Sequence, residues 1–158
     1  MRVRSREAVR GWLNETEWQI ATTLTFSNST HDKAAERLMR HFLGKANNMI
    51  FNNAVKKDRG NKRLEVVVIE ENNNIGTNFH YHMAMNIPKE FGNEYELFCD
   101  FLTALWKENC GNNFIAEFKR ASDSTGWIDY ITKGIKGDNC DTINLYSSHI
   151  TAPNSLTD

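Results

Sequence analysis

The chain has 158 residues, 40% of them hydrophobic and 25% charged, and a formal net charge of −1 at pH 7; this is enough for a single domain over residues 1–158 with a real hydrophobic core. So even a balance excludes a protein that coats nucleic acid by total charge, yet it leaves room for a local basic face. No apolar run approaches the ~20 residues of a membrane span, and Cys99, Cys110 and Cys140 match no zinc or disulfide framework, so reduced thiols and a cytoplasmic location are expected.

Residues 1–16 form a polar, basic segment in which Arg2, Arg4, Arg6 and Arg10 crowd together; Trp12 and Leu13 are its one large apolar pair. Residues 18–26 read as a strand, with Ile20, Thr22, Leu24 and Phe26 on one face by period-2 alternation. Ser27-Asn28-Ser29-Thr30 is a turn able to cap a helix over 31–52, whose Ala35, Leu38, Phe42, Ala46 and Met49 recur at three- and four-residue spacing. A charged loop over 54–62 carries a second basic cluster, Lys56, Lys57, Arg59, Lys62 and Arg63. Residues 64–70 are a Val/Ile-rich strand that the pattern buries on both faces.

Asn72-Asn73-Asn74-Ile75-Gly76 is turn chemistry, and the strand over 79–87 beyond it stops at Pro88, so the two strands read as an antiparallel hairpin. A helix over 94–109 turns Tyr95, Phe98, Leu102, Leu105 and Trp106 inward. A strand over 113–118 and a helix over 122–135 follow, the latter opened by Asp123, Ser124 and Thr125. The tail over 137–158 is polar, with a short strand pattern at 142–146. The order β-α-β-β-α-β-α predicts an α+β fold: an antiparallel sheet of about five strands with flanking helices, its core over residues 18–136.

His80 and His82 are two apart on a strand, so both imidazoles point to one side while Phe79, Tyr81 and Met83 point to the other. The same spacing also marks an ordinary solvent face, so the pair gains weight from its surroundings. Glu70 and Glu71 end the preceding strand, and either could add a carboxylate to a shared ion. Register decides which, because a one-residue slip swaps the faces; Glu70 is preferred because it directly follows the Val66-Val67-Val68-Ile69 run. Mixed N and O ligation suits Mg²⁺ or Mn²⁺, a Lewis acid for a phosphate ester. Tyr130 and Lys133 lie three apart on one helix face, beside a stripe of Trp127, Ile128, Ile131 and Ile135. A tyrosine hydroxyl can form a covalent phosphoryl intermediate once activated, and a lysine can neutralise the charge that develops.

Together these pieces resemble the HUH endonuclease superfamily, and within it the single-tyrosine initiators of rolling-circle replication. The resemblance covers residues 18–136 and rests on three motifs in the family's order. These are the apolar-threonine strand Ala21-Thr22-Thr23-Leu24-Thr25-Phe26, the pair His80-Tyr81-His82 with a carboxylate upstream, and Tyr130-Ile131-Thr132-Lys133. It implies an RRM-like sheet with the histidines on a central strand and the tyrosine on a helix alongside. It also implies metal-dependent nicking and rejoining of single-stranded DNA at a replication origin through a 5′-phosphotyrosine, in a plasmid, phage or virus. Tyr130 and Lys133 would then be catalytic, His80, His82 and Glu70 or Glu71 metal ligands, and Thr23, Thr25 and Trp127 candidate DNA contacts. Partners would be the origin strand and a host replication helicase or polymerase, in the cytoplasm or, for a eukaryotic virus, the nucleus. No Gly-rich phosphate-binding loop follows, so no helicase domain is expected in this stretch. The alternatives are a non-catalytic single-strand binder, a non-catalytic metalloprotein, and a compact single-tyrosine transposase of the same superfamily. Tyr146 ranks as a distant second nucleophile.

Overall fold

The computed structural model describes residues 5–26, 32–52, 62–71, 79–111, 115–137 and 140–151. The turns read at 27–30 and 72–76, and Arg2, Arg4, Lys56, Lys57 and Arg59, lie outside them. The elements are α1 (Ser5–Leu13), β1 (Ile20–Thr25), α2 (Asp32–Phe51), β2 (Val66–Glu71), β3 (His80–Met85), α3 (Tyr95–Cys110), β4 (Ile115–Arg120) and α4 (Ser124–Ile131). The expected α+β order is present, preceded by a helix that the sequence reading missed.

The four strands form one antiparallel sheet in the order β2-β3-β1-β4. The pleat sends alternate side chains to opposite faces, and each face has its own core. Ile20, Leu24, Val66, Val68, Tyr81, Met83 and Met85 pack beneath α2 and α3. Val67, Ile69 and Ala84 pack with Leu13 of α1, Ile128 and Ile131 of α4, and Ile135. Burial on both faces explains why β2 reads as an unbroken Val/Ile run. Of the inward α3 positions, Phe98, Leu102, Leu105 and Trp106 are fully buried.

A fifth strand is replaced by looser pairing. The tail lies along the free edge of β2 through two isolated bridges, Ile143 to Ile69 and His149 to Val66. Ser148 accepts the Val68 amide on its hydroxyl oxygen, which takes the place of a ladder bond. The last helix is shorter than expected, ending at Ile131. The Thr132 hydroxyl donates back to the Ile128 carbonyl at 2.7 Å, a local bond that competes with helix continuation, and two glycines follow at 134 and 137. All three cysteines are free and half-buried, and burial pushes the Cys99 and Cys110 thiols up. Among the described residues, no helix is long and apolar enough to cross a membrane.

Candidate active site

The two inner strands, β1 and β3, build the floor of the site. Their register sets Thr23 opposite His82 and Thr25 opposite His80, so all four side chains share the face that carries α4. Each threonine hydroxyl meets the Nδ1 of its partner at 3.1 Å, and the two imidazoles lie nearly parallel, 6.1 Å apart between centroids. With Nδ1 held by threonine, Nε2 is the nitrogen left to face outward. Thr23 and Thr25, read as DNA contacts, thus have their hydroxyls turned onto the histidines.

The third strand supplies the carboxylate. Glu71 is opposite His80, while Glu70 is opposite Tyr81 and so lies on the other face. The preference for Glu70 is therefore reversed. Residue parity within the hairpin decides it, and proximity to the apolar run carries no information about facing. The Glu71 Oε2 reaches diagonally to the Nε2 of His82 at 2.5 Å, and its Oε1 meets the Lys133 Nζ at 3.0 Å.

Lys133 lies in the turn just beyond α4, its amide donating to the Tyr130 carbonyl at 3.2 Å, and its Nζ sits 4.1 Å from the centroid of the Tyr130 ring. Tyr130 is 46% exposed, whereas His82 is only 4% exposed. The Tyr130 ring stands edge-on to His82 at 5.5 Å, and the Trp127 ring stacks on Tyr130 at 5.6 Å. Trp127 donates its Nε1–H to the Met83 carbonyl at 3.0 Å, pinning α4 to β3. Its indole N–H is therefore committed to the scaffold, although part of the ring remains accessible.

Two further links, absent from the sequence reading, orient α4. Arg6 and Arg10 of α1 both reach the Asp129 carboxylate at 3.2 Å, and the Trp18 amide donates to Ser124 Oγ at 2.8 Å.

The electrostatics follow from this packing. Burial holds the His82 imidazole below its usual range, against the opposing pull of Glu71. Burial also pushes the Glu71 carboxyl up, but hydrogen bonds and charges from His82 and Lys133 outweigh it and leave Glu71 below the ordinary value. Burial pulls Lys133 down, yet its bonds to Glu71 and Tyr130 raise it overall, keeping it a cation.

Among the described residues, no three His, Cys, Asp or Glu groups converge as a ready metal cage; His82 and Glu71 are hydrogen-bonded to each other, and His80 to Thr25. Their chemistry nonetheless fits a divalent ion. With the Thr23 hydroxyl donating to Nδ1, the Nε2–H of His82 donates to Glu71 Oε2, and a divalent ion would displace that one proton and use both atoms as ligands. His80, His82 and Glu71 together offer two imidazoles and a carboxylate with the outer-shell support that metal-binding histidines use.

Comparisons with known proteins return no match to a family model, to a curated protein or to a solved structure.

Proposed function

We propose that this chain is a metal-dependent nuclease that nicks and rejoins single-stranded DNA through Tyr130, of the kind that initiates rolling-circle replication. The observation that carries this reading is the meeting of Tyr130 and Lys133 with His82 and Glu71 on one face of the sheet. Packing of α4 on the sheet brings residues of β2, β3, α4 and the turn beyond it into one small region, where they would supply a nucleophile, a cation and metal-binding donors.

His80, His82 and Glu71 would hold the ion, Mg²⁺ or Mn²⁺, which when bound supplies Lewis-acid polarisation of the scissile phosphate. The chain's own residues do the rest. The Tyr130 hydroxyl oxygen attacks phosphorus in line, the tyrosyl O–P bond forms, and the P–O3′ bond breaks. The phenolic proton ends on the departing 3′ oxygen, directly or through water. Lys133 faces the charge that gathers on the phosphoryl oxygens. One phosphodiester replaces another, so religation is the same step reversed and no nucleotide cofactor is needed. Thr23 and Thr25 orient the imidazoles. The natural partner is the origin strand, with a host helicase or polymerase extending the freed 3′ end in whichever compartment holds the replicon.

The test is a denaturing gel of the protein incubated with Mn²⁺ and labelled single-stranded origin DNA. A covalent adduct is expected, lost in Tyr130→Phe and on chelation; an adduct that persists in Tyr130→Phe removes the nucleophile assignment. His80→Ala is expected to abolish cleavage while leaving the thermal transition in place. Binding without cleavage at any origin tested leaves the non-catalytic single-strand binder.

A further inference from the structure

The opposite face of the molecule carries a second feature that the nicking reading does not use. Helix α2 packs on the core layer of Ile20, Leu24 and Tyr81, across the sheet from His80 and His82. Between α2 and the tail lies a cleft of about 240 Å³, lined by Arg40, Gly44, Asn47, Asn48, Arg63 and Tyr146 among others. A second groove, lined by Lys33, Glu36, Arg37, Arg40 and His41, continues it along the helix. Arg40 belongs to both, so the two form one track.

Three observations bear on what fits there. First, among the described residues, Lys33, Arg37, Arg40 and Arg63 have no carboxylate within 4.0 Å, so the track is cationic despite Glu36. Second, Tyr146 is 76% exposed, with Arg40 lying 4.2 Å from its ring centroid. A flat ring backed on one side by a guanidinium and open to solvent is a stacking platform. Third, Gly44 sits inside α2, where glycine is unfavourable, and a Cβ there would meet nothing within 4 Å. No internal packing requires the glycine, while the missing side chain opens the cleft floor to close approach from outside.

We propose that this track is a second, metal-independent binding site for single-stranded nucleic acid. Arg40 and Arg63 take backbone phosphates, Tyr146 stacks on a base, and the Asn47 and Asn48 amides lie within the cleft beside them. Tyr146, ranked from sequence as a distant nucleophile, is thereby a binding residue set against α2 and away from the histidines. The inference does not depend on the nicking reading, because it involves neither Tyr130 nor a metal ion.

The test measures binding of a fluorescein-labelled dT12 oligonucleotide to the full chain in EDTA, by anisotropy over a series of salt concentrations. Arg40→Ala/Arg63→Ala is expected to weaken binding at least tenfold and to flatten the log K–log[salt] slope by about 1.4, two phosphates at ~0.7 each. Tyr146→Leu is expected to cost about tenfold. Gly44→Ala is expected to raise the melting temperature and weaken binding together, a combination that a purely structural role does not produce. Unchanged affinity or slope in Arg40→Ala/Arg63→Ala, with its thermal transition intact, overturns the site. So does tighter binding of the matching duplex, or equal competition by an oligoglutamate peptide. Failure of the nicking reading would show instead as absence of adduct in the metal-containing assay.

Discussion

An imidazole can present either ring nitrogen, and the choice is made by what holds the other one. Here Thr23 and Thr25 hold Nδ1 of His82 and His80. Replacing each hydroxyl with a methyl of nearly the same shape removes that hold. Thr23→Val/Thr25→Val is therefore expected to lower Mn²⁺ affinity about 10- to 100-fold, with a stability change on the order of 1 kcal/mol per lost bond. Titration calorimetry and a thermal melt separate the two effects, and unchanged Mn²⁺ affinity would show that the threonines do not orient the rings. Such an orienting role was invisible in sequence because it depends on which strand lies beside β3. The histidine pair itself was legible, since period-2 spacing puts both side chains on one face whatever the neighbours are. The choice between Glu70 and Glu71 was not legible, because it depends on hairpin register that the residues of β2 do not encode by themselves.

At the scale of single elements, α4 has only eight residues, and its position depends on its ends and neighbours. Asp123 caps it, accepting the Gly126 amide at 2.9 Å, and a Cβ on Gly126 would fall 2.3 Å from the Asp123 Oδ2. Gly126→Ala is therefore expected to drive the carboxylate out of its capping position. The cost is on the order of 1 kcal/mol, as for other lost caps, and Tyr130 loses its fixed placement, so adduct yield falls more than stability does. Urea titration beside the adduct assay checks this; equal yield at reduced stability would show that the cap serves folding alone. The capping residues were readable in sequence, whereas α1 was not. Its Val9, Trp12 and Leu13 suit a helix face, but the segment is short, rich in arginine and interrupted by Gly11. It docks through Leu13 in the core beneath α4 and through Arg6 on Asp129, more than a hundred residues away. The ion pairs at Asp129 are half-exposed and so contribute little to stability; their effect is on the direction of α4.

For the molecule as a whole, the alternating and continuous apolar runs made the order of strands and helices legible, because burial on one face or two imposes different periods. Strand neighbours were less legible, and the tail least of all: its polar sequence carries only a faint pattern, yet it occupies the open edge of β2. The Val66 and His149 amides exchange bonds with each other's carbonyls at 2.8 Å, and the Asn144 amide donates to the Val68 carbonyl at 2.9 Å. Removing residues 141–158 uncovers the Val/Ile-rich edge strand β2, and an unpaired apolar edge pairs readily with other copies. The truncated chain is expected to self-associate, measurable by light scattering; a monodisperse truncated monomer would show that the edge is protected in some other way.

The two halves of the candidate site are built on very different foundations. The histidines sit on β3, bonded to a strand on either side, while Tyr130 rides on a short helix fastened at its rim. Deep strands open only when the whole fold opens, and short peripheral helices open locally at far lower cost. Warming is thus expected to free Tyr130 before it disturbs the histidine floor, so that, under the proposed function, adduct formation would fail at a lower temperature than Mn²⁺ binding.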